Sequence, residues 1–124
     1  MTSILVVDDD RAVLRLVESC LKVRGFQPLT AASAEAAQKL FDAHKDEISL
    51  LVADIRMPGT DGPTLARQLL ALKPELNVLF MSGFAEGEWP ETAFIHRFAF
   101  IGKPFTPGLL LRTVQDLMAQ GQGV

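Results

Sequence analysis

The chain has 124 residues, enough for one domain with a sizeable core, and its 48% hydrophobic content excludes a disordered protein. A net charge of −3 without a basic patch argues against nucleic acid binding through this domain. No apolar run approaches the roughly 18 residues of a membrane span and no signal peptide precedes Ile4, so we expect a cytoplasmic chain with no membrane contact of its own. Cys20, the single cysteine, lies in a helical pattern and is expected in the core.

The first half of the chain predicts two strands and two helices. Residues 3–8 form a β-branched apolar run that ends in aspartates, as a buried strand would. Asp10 is then placed to cap a helix with apolar residues at helical spacing, and Gly25 to end that helix. After a short strand at residues 27–31, Ser33 is expected to cap the second helix.

The second half continues the alternation of strands and helices. A polar loop leads into a third strand, which ends at Asp54. Pro63 is expected at the first position of the third helix, and Pro74 marks the end of that helix. Residues 78–81 and 98–101 predict the fourth and fifth strands.

The segment between the last two strands, residues 84–97, is the least regular part of the chain. It contains glycine and proline and has no continuous apolar stripe, so the helix expected there is short or irregular. Apolar residues at helical spacing across 109–118 indicate a last helix. We assign residues 1–120 to one domain and residues 121–124 to a frayed tail.

The order of these elements predicts the fold. Strands that alternate with helices through connections of about a dozen residues must pair in parallel, with right-handed crossovers. We therefore expect an α/β, doubly wound, flavodoxin-like fold with helices on both faces of a five-stranded parallel sheet in the order 2-1-3-4-5. Ligands of such folds bind at the carboxyl ends of the strands, beside the switch point between strands 1 and 3.

Polar side chains follow four of the predicted strands at their carboxyl ends. Asp8 and Asp9 end the first strand and Asp54 the third, and Ser82 and Lys103 follow the fourth and fifth. Clustered carboxylates repel unless a cation lies among them, and Mg²⁺ favours oxygen ligands. A Mg²⁺ ion, a lysine and a hydroxyl around one carboxylate suit phosphoryl binding, and a carboxylate can itself be the nucleophile. The pattern therefore predicts that Asp54 accepts a phosphoryl group.

Five motifs in order give the chain a family resemblance. These motifs are Ile4-Leu5-Val6-Val7-Asp8-Asp9, Asp54-Ile55-Arg56-Met57-Pro58-Gly59, Asp61-Gly62, Met81-Ser82-Gly83 and Lys103-Pro104-Phe105. With them the chain resembles the receiver domain of two-component response regulators, and most of all the C-terminal receivers of hybrid sensor histidine kinases, to which residues 76–84 and 97–100 are similar. The spacing of the motifs also fits, with 45 residues from Asp9 to Asp54, 28 more to Ser82 and 21 more to Lys103.

The resemblance implies a role for each matching residue of a metal site. Asp54 would be the phosphoacceptor. Asp9 would bind Mg²⁺ directly, Asp8 would act mainly through water, and the backbone carbonyl of Arg56 would supply a further ligand. The implied cofactor is therefore Mg²⁺.

The resemblance also implies how phosphorylation is read out. Ser82 and Lys103 would each bond a phosphoryl oxygen, and the bond between Lys103 and Pro104 would be cis. Phe100 occupies the place of the family's switch aromatic and would move inward as the Ser82 hydroxyl moves toward the phosphoryl group.

The partner implied by the resemblance is a histidine kinase or a histidine phosphotransfer domain, and the family leaves room for a weak dimer. The domain alone is expected to promote its own phosphorylation and dephosphorylation, without a separate enzyme class. Histidine kinase activity would follow only if the chain is part of a longer hybrid kinase.

Two other functions are compatible with an aspartate at a strand end. One is a small aspartyl-phosphate enzyme of the dehalogenase type, which needs a second acid two residues after the nucleophile; Arg56 occupies that place. The other is a degenerate receiver that acts only as a docking module. The acceptor, acidic-pair, hydroxyl and lysine positions are all filled, so the resemblance favours a phosphorylatable domain.

Overall fold

The computed structural model describes residues 2–83, 95 and 97–122, with side chains described as far as 119. Within those residues the chain forms five strands and four helices. The strands are β1 Ser3–Val7, β2 Gln27–Ala31, β3 Ile48–Asp54, β4 Asn77–Ser82 and β5 Phe98–Gly102. The helices are α1 Arg11–Val23, α2 Ala34–His44, α3 Gly62–Leu72 and α4 Pro107–Gln122.

The five strands form one parallel sheet in the order β2-β1-β3-β4-β5. This confirms the predicted doubly wound, flavodoxin-like order with its switch point between β1 and β3. The register aligns the carboxyl ends of neighbouring strands, because Val7 pairs with Ala53, Asp54 with Met81 and Ser82 with Gly102. The residues that follow these strands therefore leave the sheet at one common edge.

Two hydrophobic cores lie on opposite faces of the sheet. Successive side chains of a strand point to opposite faces, so Leu5 and Val7 enter one core while Ile4 and Val6 enter the other. Helices α2 and α3 cover the first core, and α1 and α4 cover the second. This accounts for the unbroken apolar runs in the central strands, which are buried on both faces.

The predicted helix ends are confirmed with one correction. Asp10 and Ser33 accept hydrogen bonds from Ala12 N and Ala36 N, as caps of α1 and α2. Gly25 follows the cap of α1 at a φ of +84°, a left-handed conformation that glycine adopts without strain. Pro63 is the second residue of α3 and not the first, because Asp61 caps the helix one residue earlier than expected.

Other differences from the prediction lie at element boundaries. Strand β1 ends at Val7 and leaves Asp8 just outside it, whereas β4 and β5 extend to Ser82 and Gly102. Helix α4 continues to Gln122 and so includes the first two residues of the predicted tail at 121–124, whose fraying stays a prediction. The segment predicted to be a short or irregular helix lies outside the described residues, apart from Ile95 and Arg97.

Candidate phosphoacceptor site

Four strand ends bring the candidate site residues to the same edge of the sheet. Asp8 and Asp9 follow β1, and Asp54 is the last residue of β3. Ser82 is the last residue of β4, and Lys103 follows β5 directly. The peptide bond between Lys103 and Pro104 is cis, as the resemblance implied.

Asp8, Asp9 and Asp54 form a compact cluster of carboxylates. One oxygen atom from each lies within 4.8 Å of the others. The three side chains differ in environment, since Asp8 is 0% exposed, Asp54 is 9% exposed and Asp9 faces solvent. The cluster therefore joins a buried acid to an accessible one, with Asp54 between these extremes.

Local backbone groups hold the two less exposed acids in place. Asp8 Oδ1 accepts a hydrogen bond from the Asp10 amide at 2.9 Å, and Asp54 Oδ1 accepts one from the Arg56 amide at 3.2 Å. Both contacts join a carboxylate to the amide two residues later, a turn that aspartate commonly forms. Each carboxylate keeps its second oxygen, Oδ2, for other partners.

Lys103 connects the two acids. Its Nζ donates to Asp8 Oδ2 at 2.7 Å and to Asp54 Oδ2 at 2.9 Å. The backbone supports this position, because the Lys103 amide donates to the Ser82 carbonyl at 2.7 Å. A single ammonium group thus offsets the repulsion between two carboxylates that lie 46 residues apart in the chain.

The pKa values of Lys103 and Asp8 follow from burial and from this contact. Burial raises the pKa of the Asp8 carboxyl above its ordinary value, and the hydrogen bond from Lys103 offsets only part of that rise. Burial acts to lower the pKa of Lys103, but the hydrogen bonds to Asp8 and Asp54 outweigh it and the pKa is raised. Lys103 is therefore an ammonium ion at neutral pH and serves as a charge partner, not as a base.

A close approach of α3 fixes the backbone of Asp54. The Gly62 amide donates to the Ile55 carbonyl at 3.1 Å, and a Cβ atom at Gly62 would lie 2.0 Å from the Asp54 carbonyl oxygen. Only glycine leaves room for this contact. The sequence marked Asp61-Gly62 as part of a family motif, but the spacing of residues alone does not reveal which backbone the glycine touches.

Ser82 and Phe100 lie on the neighbouring strands β4 and β5, and Ser82 ends its strand at the edge that carries the acidic cluster. Ser82 is buried and extends β4 one residue beyond Met81, the partner of Asp54. The half-buried Phe100 ring stacks on Phe80, with centroids 5.5 Å apart, and meets Phe98 edge-on at 5.7 Å. The positions of both residues agree with the sequence interpretation, while their roles as hydroxyl ligand and switch aromatic stay predictions.

The donor set of the cluster fits a hard divalent cation. Within the part of the chain that the structure describes, this is the one group of three acidic, histidine or cysteine side chains close enough to hold a metal ion. All of its donors are carboxylate oxygens, which suit Mg²⁺ and not zinc. Asp9 is accessible from solvent, so an ion can reach the cluster without disturbing the core.

Comparisons with known proteins agree with this site. The family model of the response regulator receiver domain matches residues 4–115. The sensor kinase CckA of Brucella abortus is 33% identical over 120 residues, which cover 94% of this chain and 12% of that kinase. The solved receiver domain of the hybrid histidine kinase CckA is 31% identical, with a TM-score of 0.77 and coverage of 94% of this chain and 98% of that one.

A third similar protein is the response regulator TrrA of Thermotoga maritima. Its structure in complex with Mg²⁺-BeF is 25% identical with a TM-score of 0.82, and covers 94% of this chain and 99% of that one. TrrA has also been solved in complex with the histidine kinase ThkA, with 25% identity, a TM-score of 0.80 and coverage of 95% and 99%.

The chain belongs to the response regulator receiver domain family. It is a receiver of two-component signalling with a phosphoacceptor role, and its likeness to the CckA receiver confirms the predicted similarity to hybrid kinases. The chain spans only 12% of the CckA kinase and 24% of the regulator DctD of Rhizobium meliloti. Within the described residues, none of the helices is both long and apolar enough to cross a membrane.

The close approach at Gly62 predicts opposite effects for two glycine substitutions. Gly62→Ala should lower the free energy of unfolding by about 1–3 kcal/mol, because its Cβ overlaps the Asp54 carbonyl. Gly108→Ala in α4 is the matched control: its nearest neighbour is 4.0 Å away, and it should raise stability by up to about 1 kcal/mol. Urea unfolding measures both, and equal effects would contradict the proposed contact.

The two hydrogen bonds of Lys103 predict a loss of stability when the ammonium is removed. Lys103→Met should lower the free energy of unfolding by about 1–3 kcal/mol in the presence of EDTA, because Asp8 and Asp54 lose their shared partner. Lys22→Met breaks an exposed ion pair with Glu18 and should cost less than about 0.5 kcal/mol. If both lysine variants were equally stable, the bridge would contribute nothing beyond an exposed pair.

Proposed function

We propose that Asp54 accepts a phosphoryl group from a phosphohistidine of a histidine kinase or a histidine phosphotransfer domain. The observation that carries the proposal is the position of Asp54: it ends the central strand β3 close to the buried acid Asp8, with which it shares the ammonium of Lys103. In the transfer, an Asp54 oxygen forms the new bond to phosphorus as the bond from phosphorus to the histidine nitrogen breaks. The aspartate becomes an acyl phosphate and the imidazole is the leaving group.

The residues around Asp54 are suited to hold the transferred group. Lys103 keeps its positive charge in this site and can follow the negative charge from the Asp54 carboxylate to a phosphoryl oxygen. The Ser82 hydroxyl is proposed to bond a second phosphoryl oxygen. Because Ser82 pairs with Gly102 across the sheet and Phe80 pairs with Phe100, movement of Ser82 is proposed to bias the packing of Phe100.

The cofactor of the proposed transfer is Mg²⁺. Asp8, Asp9 and Asp54 would hold it, with the backbone carbonyl of Arg56 as a further ligand. When bound, Mg²⁺ neutralises charge on the phosphoryl oxygens. The buried Asp8 would hold the site in place through its contacts with Asp10 and Lys103, and the exposed Asp9 would present an open carboxylate to the ion.

A hydrolytic function of the dehalogenase type is not favoured. Such an enzyme needs a carboxylic acid two residues after the nucleophile, and Arg56 occupies that position. Arg56 contacts Asp54 through its backbone amide, which donates a hydrogen bond to Asp54 Oδ1. A docking module without phosphorylation is not favoured either, because the acceptor, the lysine and the acidic pair are all present at one edge of the sheet. A separate enzyme class is not proposed for the domain; histidine kinase activity would belong to a longer hybrid chain.

The proposed partner follows from the chemistry and from the comparisons. TrrA, which is similar to this chain, has been solved with the histidine kinase ThkA. We therefore propose a phosphohistidine protein as the donor, docked at the edge of the sheet that carries Asp54. We propose no contact with nucleic acid or with a membrane through this domain. A weak dimer would be compatible with the proposed transfer but is not needed for it.

The assignment of the acceptor predicts that Asp54→Asn abolishes phosphorylation. The chain is incubated with acetyl phosphate and Mg²⁺, and the phosphate is counted by intact-mass spectrometry. Asp61→Asn is a matched control: Asp61 lies near the same site, but its role is to cap α3, which asparagine also does well. We expect one phosphate on the native chain and on Asp61→Asn, and none on Asp54→Asn. A full phosphate on Asp54→Asn would place the acceptor elsewhere.

The acidic cluster predicts that Mg²⁺ raises the melting temperature of the chain. A ligand that binds only the native state stabilises it by about 2.7 kcal/mol at one hundred times its dissociation constant. Asp9→Asn should remove this rise, since it takes away the exposed ligand. Asp10→Asn should keep it, because Asp10 caps α1 outside the cluster and asparagine also caps helices. The proposed metal site would be wrong if Mg²⁺ failed to raise the melting temperature of the native chain, or raised that of Asp9→Asn by the same amount.

A further inference from the structure

The edge of the sheet opposite to Asp54 carries a polar cavity that the phosphoacceptor function does not use. It has a volume of about 330 Å³ and lies where β3, β4 and β5 begin. Its walls include three charged side chains, Lys73, Glu75 and Arg97, together with the polar side chains of Ser49 and Asn77. This is a different place from the carboxyl ends of the strands, where the acidic cluster lies.

Asn77 is the unusual member of this wall. The residue is 5% exposed, and its side-chain oxygen Oδ1 accepts no hydrogen bond. Buried amide oxygens are nearly always paired, because leaving them unpaired costs the free energy of removing them from water. The oxygen is covered by protein, but the amide borders the cavity, so a turn of the side chain would bring its oxygen and nitrogen to a molecule inside.

The cavity also has positive charge that the described side chains do not neutralise. Lys73 Nζ donates to the backbone carbonyls of Lys45 and Ile48 at 2.7 and 2.6 Å, which fixes the ammonium and leaves its third N–H. None of the ion pairs between described residues includes Lys73 or Arg97. Glu75 lies at the exposed rim. Lys73 and Arg97 therefore outnumber the one carboxylate among the lining residues, which leaves one net positive charge for an anionic group.

We propose that this cavity binds a small carboxylic acid that carries a hydrogen-bond donor next to its carboxylate, as α-hydroxy acids and α-amino acids do. Arg97 and Lys73 would receive the carboxylate, since an arginine fork matches its two oxygens. The hydroxyl or ammonium group would donate to Asn77 Oδ1, and the Asn77 amide nitrogen would donate back to the carboxylate. The proposal joins both observations, an amide oxygen without a donor and a cavity wall with more cations than anions.

Three acids with the same three-carbon skeleton test the proposed chemistry. L-Lactate carries a hydroxyl at the second carbon, L-alanine carries an ammonium group, and propionate carries neither. Each is titrated into the ¹⁵N-labelled chain at constant pH and ionic strength, and amide shifts are followed by NMR. We expect L-lactate or L-alanine to bind about tenfold more tightly than propionate, because only they satisfy the buried oxygen. Which of the two binds distinguishes a hydroxy acid from an amino acid.

The shifts should be confined to the residues around the cavity and should include the side-chain amide of Asn77. Arg97→Gln should weaken binding of every acid severalfold, because it removes one of the two cations. Arg112→Gln is the matched control, since it makes the same change of charge on an exposed residue of α4 outside the cavity. It should leave binding unchanged.

Asn77→Leu removes the side-chain amide and leaves the charged residues of the cavity unchanged, so it tests the contribution of the amide alone. This variant should lose the preference for L-lactate or L-alanine, and should bind propionate somewhat more weakly than the native chain does, because it also loses the amide nitrogen that donates to the carboxylate. Should it fail to fold, the comparison of Arg97→Gln with Arg112→Gln still decides whether the cavity is the site. The proposal is overturned if no acid shifts the cavity residues, if propionate binds as tightly as the other two, or if Arg112→Gln weakens binding as much as Arg97→Gln.

Discussion

The bridge from Lys103 to Asp8 and Asp54 is the constraint on which the rest of the site depends. The ammonium reaches two carboxylates from strands that are not its neighbours, at 2.7 and 2.9 Å. This geometry requires β4 between β3 and β5, β1 beside β3, and all four strands ending at one edge. The two hydrophobic cores supply that alignment, because they hold the sheet between two layers of helices. Repulsion among acids at one edge is thus offset by a cation that this strand order brings to them.

The same bridge makes the site responsive to charge at Asp54. Lys103 keeps its proton, and its backbone amide is bonded to Ser82, the residue proposed to meet the phosphoryl group. Phosphorylation would move negative charge outward from the carboxylate, and that charge would attract both the Lys103 ammonium and the Ser82 hydroxyl. The close approach of Gly62 restrains the Asp54 backbone, since α3 rests directly on its carbonyl. Such a restrained backbone would suit the proposed switch, in which Phe100 repacks against Phe80 while the sheet is unchanged.

Apolar runs and turn residues were enough to predict the strand order and to bring Asp8, Asp9, Asp54 and Lys103 to one edge. Patterns of this kind report local structure and burial, so the caps at Asp10 and Ser33 and the glycine at the end of α1 were also within reach. They do not report which atoms meet across the fold. The sequence interpretation assigned the role of cation among the acids to a metal ion, whereas Lys103 already bridges two of them. The contact of Gly62 with Asp54 could not be predicted from the sequence for the same reason, because it depends on the angle at which α3 begins.

The two ends of β4 illustrate how stability and function can be told apart in one small domain. At its carboxyl end, Ser82 lies beside charged groups that are paired with each other. The Lys103 ammonium donates to Asp8 and Asp54, and the Lys103 backbone amide donates to the Ser82 carbonyl. At its amino end, Asn77 occupies a buried position where an apolar side chain of similar size would avoid an unpaired oxygen. Folding alone does not account for an amide there, in a wall where Lys73 and Arg97 outnumber the one carboxylate, Glu75. A molecule that brings both an anion and a donor would account for all three groups, and it would contact the starts of the strands that carry Asp54 and Ser82.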